Sequence, residues 1–349
     1  MLRAFIDGHR YEETGVVVKK SFLSMSHCFE IYYPLYNKVP FSIGSKVEIK
    51  EENSRILVGE IEQIYIKDNI LKIKGESPFA SKLNSFSPKP INLNDNLTLD
   101  EIIYKCVGIK PIVKTVTEPF VKEELIIDGN CETYADYISR LASKRAVYLI
   151  EDENGNLVIT RNNETEIIGS LGDNGNISES HFCFDVNQLY QNITLYSQTN
   201  LNSYIQDRTE IPIDKIEGLK VTVNDPLVKD GRTLYKKLGY GISEPNLKKL
   251  ADFQIGLQRA RAMKYKIKYP FFLLNSGEPV DIGKLIKINN SYDNIKGTFF
   301  IEEVILKSGS IGNEQKGENF SIITATYMNA YKLNFSLGDN VNFGGFINV

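Results

Sequence analysis

Apolar and polar positions alternate strongly over residues 1–88, which read as β. Val16 to Lys19 and Phe29 to Tyr33 are β-branched or aromatic runs. After Gly44, Val47 and Ile49 fall on one face, and Lys46, Glu48 and Lys50 on the other. Period two marks a half-buried strand. Leu57 to Ile66 forms the next run, Asn69 marks a turn, and Ile70 to Ile73 returns with Gly75 closing it. Short strands split by turn residues favour a barrel or sandwich. Pro78, Pro88 and Pro90 punctuate an exit loop.

The period changes over 97–145. Thr98 and Glu101 have capping-box spacing, and Ile102, Ile103, Cys106 and Val107 supply a buried stripe. Gly108 and Pro111 stop that helix. A second helix spans Thr133 to Lys144, with Tyr134, Tyr137, Ile138, Leu141 and Ala142 on one face. A hairpin follows, with Val147 to Ile150 as one strand and Leu157 to Thr160 as the return. Asn154-Gly155 between them is a type I′ turn signal. Residues 165–180 are rich in Gly, Asn, Asp and Ser and read as a surface loop. Residues 186–196 read as a strand, and 200–245 as an extended arm or long loops. From Pro245 to Ala262 the spacing of Leu250, Phe253, Leu257 and Ala260 predicts a helix. Residues 264–331 are β again. The stretch from Leu333 to Val349 is Asn- and Gly-rich with spaced Leu and Phe.

One pattern occurs twice. Residues 43–66 read IGSKVEIKEENSRILVGEIEQIYI, and residues 282–306 read IGKLIKINNSYDNIKGTFFIEEVIL. Val47 and Ile49 follow Gly44 at the same spacing as Ile286 and Ile288 follow Gly283. Each strand ends in a polar turn containing Asn, and a second strand then carries IEQIYI or IEEVIL. The second copy is one residue longer in the turn, which a loop tolerates. The expectation is two similar β-barrels in one chain. Three such chains would present six similar barrels, so that a trimer imitates a six-fold ring.

Composition narrows the function classes. The 349 residues are 42% apolar and 24% charged, which is ordinary for a folded protein with real cores. With 41 Lys+Arg against 44 Asp+Glu the net charge is −3, which argues against a dedicated nucleic-acid binder. The four cysteines, Cys28, Cys106, Cys131 and Cys183, form no C-x-x-C motif and read as isolated, mostly buried thiols in a reducing compartment. The longest apolar run, Tyr269 to Leu274, is far too short to span a bilayer. Asp7 interrupts any signal-like run at the start, so the protein is expected to stay in the cytosol unless a dedicated machine exports it.

Catalytic spacing is sparse. The three histidines, His9, His27 and His181, lie in no H-E-x-x-H motif. His27 and Cys28 are adjacent, and neighbours in a strand point to opposite faces, which makes a poor nucleophile–base pair. Gly169, Gly172 and Gly175 lack the Lys or helix start that a phosphate cradle needs. Asp152 to Asn156 faintly resembles a calcium loop, but Asn163 stands where the bidentate Glu is required. Glu118, Glu123 and Glu124 are the carboxylates available to a glycosidase, and a solvated loop explains them better. Lys264, Lys266 and Lys268 share one strand face, and Tyr265, Ile267 and Tyr269 the other. The lysine face is therefore solvent, an interface or a channel lining.

The layout resembles the Mu-like P-type tail proteins, baseplate hub proteins of contractile phage tails, and is similar to the hub modules of type VI secretion spikes. The residues that carry the resemblance open with DGHRYEETGVVVKKSFLSMSHCFEI, from Asp7 to Ile31, in which Val18-Lys19-Lys20-Ser21-Phe22 looks like the family's second strand. PFSIGSKVEI, VGEIEQI and LKIKGES follow in the family's order, although Ser77 stands near where the family often has Arg or Asp. CETYADYISRLASKRAVYLIEDENGNLVITR resembles the family's helix, strand, turn and return strand, and LQRARAMKYKI with the second barrel motif closes the match. The first strand lacks the Trp often seen there, and 200–245 and 332–349 find no counterpart.

The resemblance implies an α+β, mainly β fold of two similar tail-tube-like β-barrels plus a small α/β insertion domain. The expected division is 1–88 for the first barrel and 89–180 for the α/β domain. Residues 181–331 form the second barrel with its arm (200–245) and helix (246–262), and 332–349 a C-terminal tail. It implies a homotrimeric ring in the virion tail baseplate, assembled in the host cytoplasm, that joins a six-fold tube to a three-fold spike. Expected partners are the chain itself, the tail spike, the tail tube or its initiator, baseplate wedge proteins and the tape measure protein, with DNA only in transit. No catalytic, cofactor-binding or metal residues and no membrane insertion are expected. Leu333, Phe335 and Leu337 alternate as a strand added to a neighbour would. The competing readings are a tail-associated peptidoglycan hydrolase and a β-rich carbohydrate-binding adaptor.

Overall fold

The structure, a computed structural model, describes residues 1–331 apart from 36–38, 80–82, 84–95, 126–132, 163–165, 173–175, 199–217, 227, 230, 241 and 312–316. Cys131, Asn163, Gly175, the first part of the 200–245 arm and the 332–349 tail therefore lie outside the described residues.

The chain opens with β1 (Leu2–Ile6) and β2 (His9–Arg10), joined by Asp7-Gly8, both with positive φ (49° and 80°). Then come β3 (Gly15–Ser21), β4 (Cys28–Pro34), β5 (Lys46–Glu51), β6 (Ser54–Lys67) and β7 (Ile70–Glu76). Hydrogen bonding orders them β3-β4-β7-β6-β5-β1, with β2 outside β1. The period-two reading holds, because Val47 and Ile49 are buried. Asp68 and Asn69, with φ of 51° and 60°, make the two-residue turn between β6 and β7 whose positive φ values match strand twist. Gly75 does not close its strand as the spacing suggests but lies inside β7. A Cβ there would stand 2.1 Å from the Glu60 carbonyl oxygen and 2.4 Å from the Phe29 ring. One at Gly59 would stand 2.6 Å from the same ring, so the two glycines make room for Phe29.

A small unit follows, made of α1 (Leu99–Val107), β8 (Ile112–Val113), α2 (Tyr134–Lys144), β9 (Tyr148–Glu151) and β10 (Leu157–Thr160). Its strands pair β8-β10-β9, and the two helices share its core with Leu149, Leu157 and Ile159. The predicted caps form. The Glu101 carboxylate accepts from the Thr98 backbone N–H (2.8 Å), and Gly108 ends α1 in the left-handed region. Thr133 and Asp136 exchange hydrogen bonds at the start of α2. The hairpin turn differs from the type I′ expectation, because only Gly155 has positive φ. The Asp152 carboxylate accepts from the Asn154 and Asn156 backbone N–H groups, and these bonds set the turn instead.

The remaining elements are β11 (Ile167–Leu171), β12 (Glu179–Phe184), β13 (Asn192–Gln198), β14 (Lys220–Asn224), β15 (Thr233–Tyr240), α3 (Glu244–Ala262), β16 (Met263–Tyr269), β17 (Leu285–Asn290), β18 (Ile295–Gly309) and β19 (Phe320–Tyr327). Two expectations need correction. The 165–180 loop contains β11, and the 200–245 arm contains β14 and β15, which flank β13 in a three-stranded sheet. β14 alternates strictly, with Val221 and Val223 turned inward, but over only five residues, and in β11 and β15 exposed Ile167 and Tyr235 break the period. The strand expected at 186–196 starts only at Asn192, because the Asp185 carboxylate first caps a short 3₁₀ turn at Val186–Gln188.

The second large sheet repeats the first. Its order is β12-β16-β19-β18-β17-β11, against β3-β4-β7-β6-β5-β1. The echoed hairpins open with the same hydrogen bonds, although β5–β6 shifts register between Ile49 and Lys50 and β17–β18 does not. Gly44 N–H donates to Ile61 O (2.8 Å) and Ile61 N–H to Ser45 O (3.0 Å). Gly283 N–H donates to Ile301 O and Ile301 N–H to Lys284 O, both at 2.9 Å. Both long strands bulge at the same place, after Ile61 and after Ile301. One difference is that β11 runs parallel to β17, whereas β1 runs antiparallel to β5. β18 continues past β17 to pair with β3, which joins the two sheets into one of thirteen strands over a shared core.

Candidate assembly surface

The joined sheet has a packed face and an open face. On β16, Tyr265, Ile267 and Tyr269 are buried, and Lys264, Lys266 and Lys268 take the open face as the alternation predicts. Cross-strand pairing sets Cys183, His181 and Glu179 of β12 opposite these lysines, with Lys268 bonded to Glu179 at 3.0 Å. Followed from pair to pair, the same face carries Glu303 and Lys307 on β18, Lys19 on β3, Glu30 on β4, and Lys72, Lys74 and Glu76 on β7. Lys72 and Lys74 hold Glu30 between them at 2.9 and 3.3 Å. Burial raises the Glu30 carboxyl, but the hydrogen bonds from Lys72 and Tyr32 outweigh it and hold it down at about 2. Lys268 and Lys307 lie over the Phe320 ring at 4.7 and 5.5 Å. Seven lysines and four glutamates thus share this face, with three of the lysines in succession on β16.

Of the residues weighed for catalysis, His27, Cys28, Glu118 and Glu124 are accounted for locally, and the Glu123 side chain lies outside the described residues. His27 Nε2 meets the Glu151 backbone oxygen at 3.0 Å, and burial lowers the imidazole to about 4. Burial pushes the Cys28 thiol up, which disfavours a nucleophilic thiolate. Glu118 pairs with Lys249 at 2.7 Å. Glu124 forms a buried two-pronged pair with Arg145, whose guanidinium also lies 3.9 Å from the Phe120 ring centre. Glu118 stays solvent-exposed in its tie to α3, whereas Glu124 is buried in the small unit's packing and not in the solvated loop expected of it. Gly172 is a glycine because a Cβ would stand 1.8 Å from the Asn289 backbone oxygen. Among the described residues no group of three or more His, Cys, Asp or Glu side chains is placed to hold a metal ion, and no helix is long and apolar enough to cross a membrane.

Several groups escaped the sequence reading. Burial pushes the Glu151 carboxyl up to about 8, at the contact between the small unit and the first sheet. Phe22, Tyr148, Phe300 and Tyr331 form an aromatic cluster with centroids 4.9 to 5.6 Å apart, drawn from three regions of the chain. Two of the strand edges that stay open among the described residues belong to the repeated sheets. β12 pairs only with β16, and residues 63–67 of β6 pair only with β7. Comparing the two echoed copies position by position is the signal that could have found these edges.

No family model and no curated protein sequence matches the chain. Solved structures do. The prophage MuSo2 43 kDa tail protein from Shewanella oneidensis is 20% identical at a TM-score of 0.75, over 95% of this chain and 99% of that one. The tail protein from Neisseria meningitidis MC58 is 14% identical at a TM-score of 0.75, over 95% and 97%. A chain of the Francisella PdpA-VgrG complex is 11% identical at a TM-score of 0.53, over 97% of this chain and 54% of that one. Superimposed along nearly its whole length on these tail proteins, the chain has the fold of phage tail proteins.

Proposed function

We propose that the chain is a structural hub of a phage or phage-like contractile tail. Three copies form a pseudo-six-fold ring that joins the six-fold tube to the three-fold spike. The observation that carries this reading is the repeated six-stranded sheet with its repeated bulge and Gly44/Gly283 hydrogen bonds. A chain that contains one sheet twice offers six similar units from three copies, which is what a six-to-three adaptor needs. The contact between copies is heterologous and closes on itself. The open face lines the channel. Its lysines are interspersed with carboxylates, which suits passage of DNA, because a uniformly basic wall would retain the phosphate backbone. Partners are the spike, the tube or its initiator, wedge proteins and the tape measure protein, in a virion baseplate assembled in the host cytoplasm. The chemistry is assembly rather than catalysis.

Native mass spectrometry with negative-stain imaging tests this. The expected result is three times 39.6 kDa in ring-shaped particles, alone or with the spike protein added. A monomer under both conditions overturns the reading, and so does a clear band on a cell-wall zymogram.

A further inference from the structure

Inside the chain, the far half of β18 pairs with β3, from Glu303–Ser21 to Gly309–Gly15. The same junction is left half-made at two other edges. The side of residues 63–67 of β6 away from β7, and the side of β12 away from β16, carry no partner strand among the described residues. The two sheets correspond residue by residue. One row runs Ile61, Gly75, Phe29, Val18. Its match runs Ile301, Ala325, Tyr265, Phe182. β6 is thus the counterpart of β18, and β12 that of β3.

Exposed apolar side chains mark the bare edges. Ile66 is 60% exposed, and its counterpart Leu306, opposite Val18, is 1% exposed. Ile43, just before Gly44, is 68% exposed, and Ile282, just before Gly283, is 7% exposed. Val186, beyond β12, is 55% exposed, and Phe22, beyond β3, is 2% exposed with its ring against Gly283. What the internal junction buries, the open edges leave in water. An edge whose middle carries Tyr65-Ile66, with a charge only at its end in Lys67, invites strand addition.

We propose that β12 of one copy pairs antiparallel with residues 64–67 of β6 in the next copy, in the register of β3 on β18. The proposal rests on the ring reading and gives it a contact. Carrying Leu306–Val18 across sets Ile66 opposite the partner subunit's Phe182. Tyr65 then faces the partner subunit's Cys183, and Lys67 the partner subunit's His181. The pairing is shorter than the internal one because the Asp68-Asn69 turn ends β6 at Lys67. The occupant is a second copy of this chain. Any strand would satisfy the backbone, but β12 with Val186 brings the apolar side chains that Ile66 and Ile43 need.

Tyr65→Cys tests the register, because Cys183 is a free, exposed thiol. Directly opposed residues have Cα atoms about 4.5–5.5 Å apart, within the roughly 4.4–6.8 Å a disulfide spans. Oxidation with diamide and a non-reducing gel should give covalent dimers and trimers, ending at three. The ladder should be absent from wild type and from Tyr65→Cys with Cys183→Ser. Ile66→Asp, on an exposed side chain, should keep the wild-type circular dichroism and lose the trimer. A wild-type trimer by native mass without the cross-link overturns the register and leaves the ring standing. A cross-link ladder running past three keeps the register and overturns the closed trimer. Neither trimer nor cross-link overturns both.

Discussion

Along the row that crosses the two bulges, the first sheet carries Gly75 and Phe29 where the second carries Ala325 and Tyr265. One strand over, Gly59 stands where the second sheet has Phe299. In the first sheet a single aromatic ring fills the space above two glycines. In the second, Tyr265 packs 6.0 Å from Phe299 and sends its hydroxyl to Asp293 at 2.7 Å. Asp293 sits in the longer β17–β18 turn and also accepts from Ser180 and Asn290, so the extra length holds a polar tie. The backbone plan survives while its filling is exchanged. What the two copies keep is the Gly start, the bulge and the alternation. What they vary is how the core volume is divided among neighbours.

The largest contrast concerns the ends of β3 and β12. Phe22 packs within the aromatic cluster, and its counterpart Val186 is bare. Phe22→Ala should lower the stability of the isolated chain by about 3–5 kcal/mol. Val186→Ala should change it by less than about 0.5 kcal/mol. Urea titration of both variants checks this, and equal losses would break the comparison.

A smaller contrast lies in the filled row. Gly75→Ala pushes a methyl against the Phe29 ring and the Glu60 carbonyl, and should cost about 1–3 kcal/mol. Ala325→Gly at the matching place loses only a methyl and some backbone restriction, about 0.5–1 kcal/mol. A neutral Gly75→Ala would mean that Phe29 does not fill the space of the two glycines.

How far the sequence reveals this fold depends on whether its signals are local. The hairpin echo is legible because a positive-φ glycine and strict alternation both write themselves into neighbouring residues. The caps at Thr98 and Thr133 are legible for the same reason. β11 and β15 are not, because exposed Ile167 and Tyr235 break their period, and β14 alternates strictly but over only five residues in a polar stretch. Gly75 looks like a terminator because glycine often is one, and only the position of Phe29 reveals its packing role. The open edges at 63–67 and 179–184 are invisible in either strand alone. They emerge when Leu306 on Val18 is set beside Ile66 on nothing.

The finest contrast is electrical. Glu62 and Glu302 occupy the same place in the two bulges. The Glu302 carboxylate takes the Lys264 ammonium and the Tyr331 hydroxyl. Glu62 instead faces carboxylates. Burial, then the charges of Glu76 and Glu60, push its carboxyl above the usual range. A carboxyl raised in the folded state binds its proton more tightly there than in the unfolded chain. Its stability contribution is therefore present in acid and lost as pH rises through that raised range. Glu62→Gln removes the repulsion and should gain up to about 0.5 kcal/mol at neutral pH, a gain that fades near pH 4. Glu302→Gln should have the opposite sign, because it strips Lys264 of its counter-ion. Thermal melts at pH 4 and pH 7.5 separate the two. If both variants lose stability equally at neutral pH, a cation meets Glu62 as well, and the two bulges are electrically alike.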